Sequence, residues 1–315
     1  MRINLMIEGQ EDVTWDQWVA LARSCEEAGL EGLFRSDHYL SVVGQVDRGS
    51  LDAWATLAAL AGVTGRIRLG TLVSPATFRH PSVLAKMVVT ADHVSGGRVE
   101  LGIGAGWLEA EHAVYGFPFP PAATRMELLE EQIEIVHRSW GADRFDFHGR
   151  HYRVDGLDAL PKPVQRPHPN LIVGGRGGRR SAALAARWAD EYNTVFASVD
   201  ECRRRRAVVA HACKEAGRDE DALVFSVMTR CVLGVDDDDV RRRARAAMAH
   251  AGATGPEDDW LAAHRDEWVV GTVDEVVDRV RRLEDAGVQR LMLQHLAHDD
   301  LAAVDLLGEV ARRCS

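Results

Sequence analysis

Apolar positions along this 315-residue chain alternate between two periods. Short β-type runs at Arg2–Ile7, Gly32–Arg35, Ile67–Val73, Val99–Ile103, Leu171–Val173, Glu191–Val195, Leu223–Leu233 and Arg290–Leu293 predict eight strands. Stretches at helical spacing lie between them: Trp15–Ala28, Leu51–Val63, Pro81–Val94, Arg125–Trp140, Ser181–Ala189, Glu201–Ala216, Val240–Ala251, Val273–Ala286 and a closing helix at 300–313. The first shows the logic. Trp15, Trp18, Val19, Ala22 and Cys25 form one stripe, and Gly29 supplies the C-terminal stop.

Strict alternation predicts a parallel sheet with helical crossovers. Eight such units predict an α/β fold of the closed (β/α)8 TIM-barrel type, a single domain over 1–315. Two doubly wound halves are the alternative, and they lack a clear linker in this chain. Extra material at about 105–165, including a hairpin around Phe147-His148-Gly149-Arg150, and a loose acidic stretch at about 252–270 read as insertions on the rim.

Composition narrows the partners. The chain is 46% hydrophobic and 27% charged, as ordinary globular proteins are, and its formal charge is −10. That balance argues against nucleic acid or an anionic membrane as the main partner, while leaving room for a local anion pocket. Cys25, Cys202, Cys213, Cys231 and Cys314 form no C-x-x-C pair and read as reduced thiols, so a cytoplasmic setting is expected. No run approaches ~18 apolar residues, and the opening MRINLMIEGQ reads as a strand rather than a signal peptide.

In a barrel, chemistry sits just past the strand ends. Those positions here hold Glu8, Asp37-His38, Val73-Ser74, Ala105-Gly106-Trp107, the turn Gly174–Arg180 and Gln294-His295. His38 is suited to move a proton near neutral pH, and Asp37 to orient it or bind a ligand. The turn GGRGGRRS at 174–181 offers backbone N–H groups and guanidinium groups before a helix, an anion site. Glu109, Glu111 and His112 lack the spacing of a metal site and read as a solvated helix start, so no metal is expected. Arg203–Arg206, Asp236–Asp239 and Arg241–Arg243 read as solvated helix faces. Trp54, Trp107 and Phe78 could line a pocket for a flat ring or belong to the core.

The combination of Ser36-Asp37-His38, LGTLVSPATFRHPSVLAK at 69–86, DHVSGGRVELGIGAGWLEAEHAVYG at 92–116, PKPVQRPHP at 161–169 and LAARWADEYN at 184–193 resembles the luciferase-like monooxygenase family. Within it the resemblance is to the coenzyme F420-dependent oxidoreductases. It implies a barrel with the cofactor across its C-terminal mouth and a non-proline cis peptide at about Leu72-Val73 under the deazaflavin ring. It implies a proton-handling role for His38 beside Asp37; Glu8, at the end of strand one, is a further catalytic candidate from its position. Cofactor contacts are implied at Asp37, His38, Leu72, Val73, Ala105, Gly106 and Trp107. Phosphate contacts are implied at Gly174, Gly175, Arg176, Gly177, Gly178 and Arg180. In the family's sugar-phosphate dehydrogenases a catalytic Glu follows the strand-four glycine; Trp107 stands there in this chain.

Three functions follow as expectations. The first is an F420-dependent hydride transfer to or from a small organic substrate. The second is an FMN-dependent monooxygenase using reduced flavin and O2. The third is a non-catalytic ligand-binding barrel. A homodimer is implied by the resemblance.

Overall fold

A computed structural model describes residues 1–45 and 47–314. The first half of the chain runs β1 (Arg2–Ile7), α1 (Trp15–Ala28), β2 (Gly32–Arg35), α2 (Ala53–Val63), β3 (Arg68–Thr71), β4 (Ser74–Pro75), α3 (Pro81–Ser95), β5 (Val99–Gly104), α4 (Glu109–Tyr115) and α5 (Ala122–Trp140). A hairpin of β6 (Phe145–His148) and β7 (Arg153–Leu157) precedes β8 (Asn170–Gly174), α6 (Arg179–Trp188), β9 (Glu191–Val195) and α7 (Val199–Glu215). The chain then continues through β10 (Val224–Gly234), α8 (Asp237–Ala251), α9 (Glu257–His264), β11 (Val269–Thr272), α10 (Val273–Asp285), β12 (Arg290–Gln294) and α11 (Leu301–Arg313).

Parallel pairing runs β1–β2–β3–β5–β8–β9–β10–β12 and returns to β1, so the eight barrel strands close a ring. This is the α/β TIM-barrel fold that the alternation predicts. The outward sides of the strands (Leu5, Leu33, Leu69, Leu101, Leu171, Phe225, Leu291) join the helices' apolar stripes in one large core.

The inward sides are layered, because alternate residues of a strand share a face. A middle layer is apolar: Met6, Phe34, Leu72, Ile172, Met228 and Met292. Two residues before these, at the bottom, sit the polar Asn4, Asn170, Ser226 and Arg290; two residues after them, at the top, come Glu8, Ser36, Gly174, Arg230 and Gln294. The top layer is the one that opens toward ligands. At the bottom, the fully buried Arg290 guanidinium donates to Glu100 at 2.7 Å, Glu191 at 2.8 Å and Glu31 at 2.6 Å.

Glycines make room inside the ring. A Cβ at Gly70 would lie 2.6 Å from the Phe34 ring. One at Gly102 would lie 2.1 Å from the Thr71 carbonyl oxygen and 3.0 Å from Val73. Gly102→Ala is therefore expected to force backbone displacement and destabilise the protein by about 1–3 kcal/mol, read as a lower urea midpoint at unchanged slope.

Four local readings are corrected. The helix expected from Leu51 begins at Ala53, because Asp52 caps it by accepting from the Ala55 N–H at 2.9 Å. The single strand expected over Ile67–Val73 divides into β3 and β4, and the Leu72–Val73 peptide between them is cis. The acidic stretch expected to be loose contains α9 and leads into β11, whose Val269–Thr272 pairs with the end of β10 beyond the barrel wall. Arg243, expected on a solvated face, is buried, donating to the Leu233 carbonyl at 3.0 Å and Asp300 at 2.7 Å.

Candidate active site

The C-terminal ends of the barrel strands surround a cavity of about 650 Å³. That lies in the range of small-molecule and cofactor sites, ~300–1,000 Å³. Every barrel strand or the loop just after it contributes to the wall.

One side is nearly free of side chains. Leu72, Val73, Gly104, Ala105 and Gly106 line it, with Trp107 beyond. A Cβ at Gly104 would come 2.7 Å from Val73, and one at Gly174 would come 3.2 Å from it, so these glycines leave Val73 its place. Gly106 has φ +78° and carries the chain past Thr77 and Pro75 toward α4. The next part of the wall, Gly174, Gly175 and Arg176, follows β8. Arg176 is exposed and forms no ion pair among the described residues.

On the opposite side lies a chain of hydrogen bonds. Arg230 Nε donates to Gln294 Oε1 at 2.9 Å, and Gln294 Nε2 donates to Glu8. Gln10 Nε2 donates to the other Glu8 oxygen at 2.7 Å, and Ser36 Oγ donates to Gln10 Oε1. Glu8 thus lines the cavity with both carboxylate oxygens engaged by amides.

His38 lines the cavity and is the histidine there with a defined electrostatic partner. Its Nδ1–H donates to Glu111 Oε2 at 2.9 Å, and Nε2 has no protein partner among the described residues. The buried Glu111 also accepts the backbone N–H groups of Tyr39 and Leu40. Trp107, 62% exposed, meets the His38 ring edge to face at a centroid distance of 5.5 Å. Burial works against the imidazolium. The hydrogen bond and charge of Glu111, with Glu8 and Asp37 behind it, win, and the His38 pKa stands above its ordinary 6.5. Burial likewise opposes the Glu111 carboxylate, and its bonds from His38, Tyr39 and Leu40 overcome this to lower its pKa.

The sign of the stability effect follows from linkage. A raised His38 pKa gives stability that is full below about 6.5 and is lost as pH rises through the folded-state value. A lowered Glu111 pKa gives stability present above 4.5 and lost as pH falls through its folded-state value. Glu111→Gln is therefore expected to destabilise most between those limits, with the deficit shrinking as pH rises through the folded-state value of His38. Urea unfolding of both proteins from pH 4 to 10 checks this.

Asp37 is placed differently from its expected role. It is buried and absent from the cavity wall. Its carboxylate accepts from Ser74 Oγ at 2.6 Å and from both Arg79 Nη groups at 2.5 and 3.2 Å. Arg79 bridges on to Asp52 at 2.7 Å. This fastens the ends of β2 and β4 to the start of α2.

Glu8, His38, Leu72, Val73, Ala105, Gly106, Trp107, Gly174, Gly175 and Arg176 come together on the cavity wall. Gly177, Gly178 and Arg180 do not. The Gly177 N–H donates to the Tyr192 hydroxyl at 2.8 Å, Gly178 caps α6, and Arg180 pairs with Glu130 at 2.8 Å. Trp54 is core, donating to Ser74 Oγ at 3.0 Å, and Phe78 stacks on Tyr39. The solvated helix start expected at 109–112 is corrected: Glu111 and His112 are buried, because α4 folds back over the mouth. His112 Nδ1–H donates to the Leu108 carbonyl at 2.8 Å, so Nε2 accepts from Thr77 Oγ at 2.6 Å. Sequence reasoning missed the Glu111 partnership and Arg230. The polar residues Arg230 and Gln294, at inward positions of otherwise apolar strands, are the signal that could have found the second.

Comparison with known proteins agrees with this architecture. The chain is 27% identical over 259 residues to an FMNH(2)-dependent dimethylsulfone monooxygenase of Pseudomonas putida, covering 74% of this chain and 70% of that protein. It is 29% identical over 311 residues to an F420-dependent glucose-6-phosphate dehydrogenase of Nakamurella multipartita, covering 92% and 89%. The solved structure of an F420-dependent secondary alcohol dehydrogenase in complex with an F420-acetone adduct superposes with a TM-score of 0.85 at 20% identity, over 100% of this chain and 99% of that one, a likeness of fold. The model of the luciferase-like monooxygenase family matches residues 2–290, and the chain belongs to that family of oxidoreductases and monooxygenases.

Proposed function

We propose that this enzyme is an F420-dependent oxidoreductase acting on a small organic substrate. The observation that carries the reading is the His38–Glu111 pair, which presents one unpartnered ring nitrogen, Nε2, to an otherwise largely apolar cavity. A deazaflavin supplies hydride chemistry when bound. A hydride passing to or from a carbonyl or alcohol carbon needs one proton handled at the substrate oxygen, and His38 Nε2 is suited to that step. Glu111 fixes the ring and its tautomer through Nδ1.

The wall fits such a cofactor. Val73, Ala105 and Gly106 form a surface with few protruding side chains, suited to a flat ring; Gly104 has no room for a Cβ beside Val73, and at Gly174 the fit would be tight. Gly174, Gly175 and the unpaired Arg176 would hold the phosphate side. Trp107 would exclude water above His38. Trp107 also carries no ionisable group where sugar-phosphate dehydrogenases of the family have a Glu, so the proposal centres on simpler alcohols and carbonyls. The 27% identity to an FMNH(2)-dependent monooxygenase supports the rival reading, in which reduced FMN and O2 occupy the same cavity.

An anaerobic screen separates the two. Reduced F420 is incubated with the enzyme and a panel of aldehydes and ketones, and reappearance of its absorbance near the visible edge is followed. Turnover without O2 is the expected result. Turnover that appears only with reduced FMN and O2 overturns the proposal.

A further inference from the structure

We infer that Arg230 is the substrate's anion anchor, and that the substrate of this site carries a carboxylate. The inference deepens the oxidoreductase reading above, because it concerns the same cavity. Two guanidinium groups line that cavity, Arg176 and Arg230, and neither forms an ion pair among the described residues. They come from different parts of the ring. Arg176 follows β8 beside Gly174 and Gly175, where a cofactor phosphate is proposed; Arg230 lies on β10, beyond β9. Arg230 thus stands apart from the position proposed for the cofactor phosphate.

Arg230 is positioned by one hydrogen bond and two aromatic rings. Its Nε donates to Gln294 Oε1, and Gln294 is itself fixed by Glu8. Its guanidinium carbon lies 5.8 Å from the Phe196 ring centre and 5.1 Å from that of Trp268. Phe196 also lines the cavity, and its φ of +43° is a conformation that bulky residues rarely adopt. With Nε occupied, the two Nη groups remain as an end-on fork with no protein acceptor among the described residues. Such a fork matches the two oxygens of a carboxylate.

The charge balance selects a monoanion. Glu8 lies one residue beyond Arg230 along the same hydrogen-bond chain, and its field and that of Glu11 reach the guanidinium. A carboxylate would meet the Arg230 guanidinium with a single negative charge. A dianionic phosphate would leave excess negative charge beside Glu8.

The probes are benzoate and methyl benzoate, which differ in charge and little in shape. Binding is measured by titration calorimetry on the full-length protein, first without cofactor and then with F420. Wild type is expected to bind benzoate at least about tenfold more tightly than the ester. Arg230→Met is expected to abolish that preference, Arg230→Lys to retain part of it, and Arg176→Met to leave it intact. Absence of the preference in wild type, its survival in Arg230→Met, or its loss in Arg176→Met with retention in Arg230→Met would each overturn the inference. The anion preference is read on cofactor-free protein, so it fails or holds independently of whether F420 or FMN binds.

Discussion

His38→Asn lowers the turnover number about 10²–10⁴-fold on this account, the usual worth of a positioned proton donor or acceptor. Asparagine keeps a polar group near Glu111, so the carboxylate is not stranded, while the titratable Nε2 disappears. Cofactor affinity should stay nearly constant, because the proposed cofactor wall at Leu72, Val73, Ala105, Gly106 and Gly174–Arg176 is untouched. Loss of turnover with retained cofactor binding supports a proton-handling role. Equal loss of both would assign His38 to holding the site's shape. The pH profile adds an independent readout. In the wild type the limb belonging to His38 should lie above 6.5, since Glu111 raises its pKa against the opposing effect of burial, and Glu111→Gln should move that limb down.

Arg290→Met should be the most damaging single change to stability, about 3–5 kcal/mol. Arg290 and its partners Glu100 and Glu191 are all about 1% exposed in the barrel floor. Removing the guanidinium strands two carboxylates in the same dry layer, with Arg68 left to serve Glu100. Burial raises the pKa of Glu191, whereas for Glu100 the bonds from Arg290 and Arg68 overcome burial and lower it to about 2. A lowered Glu100 gives stability present above 4.5 and lost as pH falls toward about 2. The difference between wild type and Arg290→Met should therefore shrink in acid, where the stranded carboxylates take up protons. Chemical denaturation at pH 7 and pH 4 measures both quantities. Adding Glu100→Gln and Glu191→Gln to the methionine variant should recover part of the loss.

Much of this fold could be read from the sequence, and the reason is physical. Runs such as Val99–Ile103 and helices such as Trp15–Ala28 bury local, periodic patterns, and those determine the element with little help from distant residues. Eight units in alternation leave few topologies, and the ring of parallel pairs is one of them. The strand ends marked Glu8, His38, Gly106 and Gly174 as neighbours for the same reason.

What escaped were partnerships made by folding back. Glu111 looks like an ordinary acidic residue in a first helical turn. It becomes buried because α4 returns over the mouth to meet His38, 73 positions earlier in the chain. Asp37 looks like the natural partner of the adjacent His38, yet Arg79 and Ser74 claim it from β4 and the loop after it. In the turn 174–180 every glycine and arginine looked equivalent. Packing against Tyr192 and Glu130 withdraws Gly177 and Arg180, leaving Arg176 facing the cavity. Arg230 sits within a strand whose apolar neighbours suggest core, and its role emerges when β10, β12 and β1 are brought side by side.

The central claim is that the cavity above Val73 is a deazaflavin site. Titration of the purified protein with F420, followed by the cofactor's own fluorescence, and a parallel titration with oxidised and reduced FMN test it most directly. The account predicts saturable F420 binding that Arg176→Met weakens, with FMN binding weaker in both redox states. Tight binding of reduced FMN with no binding of F420 would contradict it.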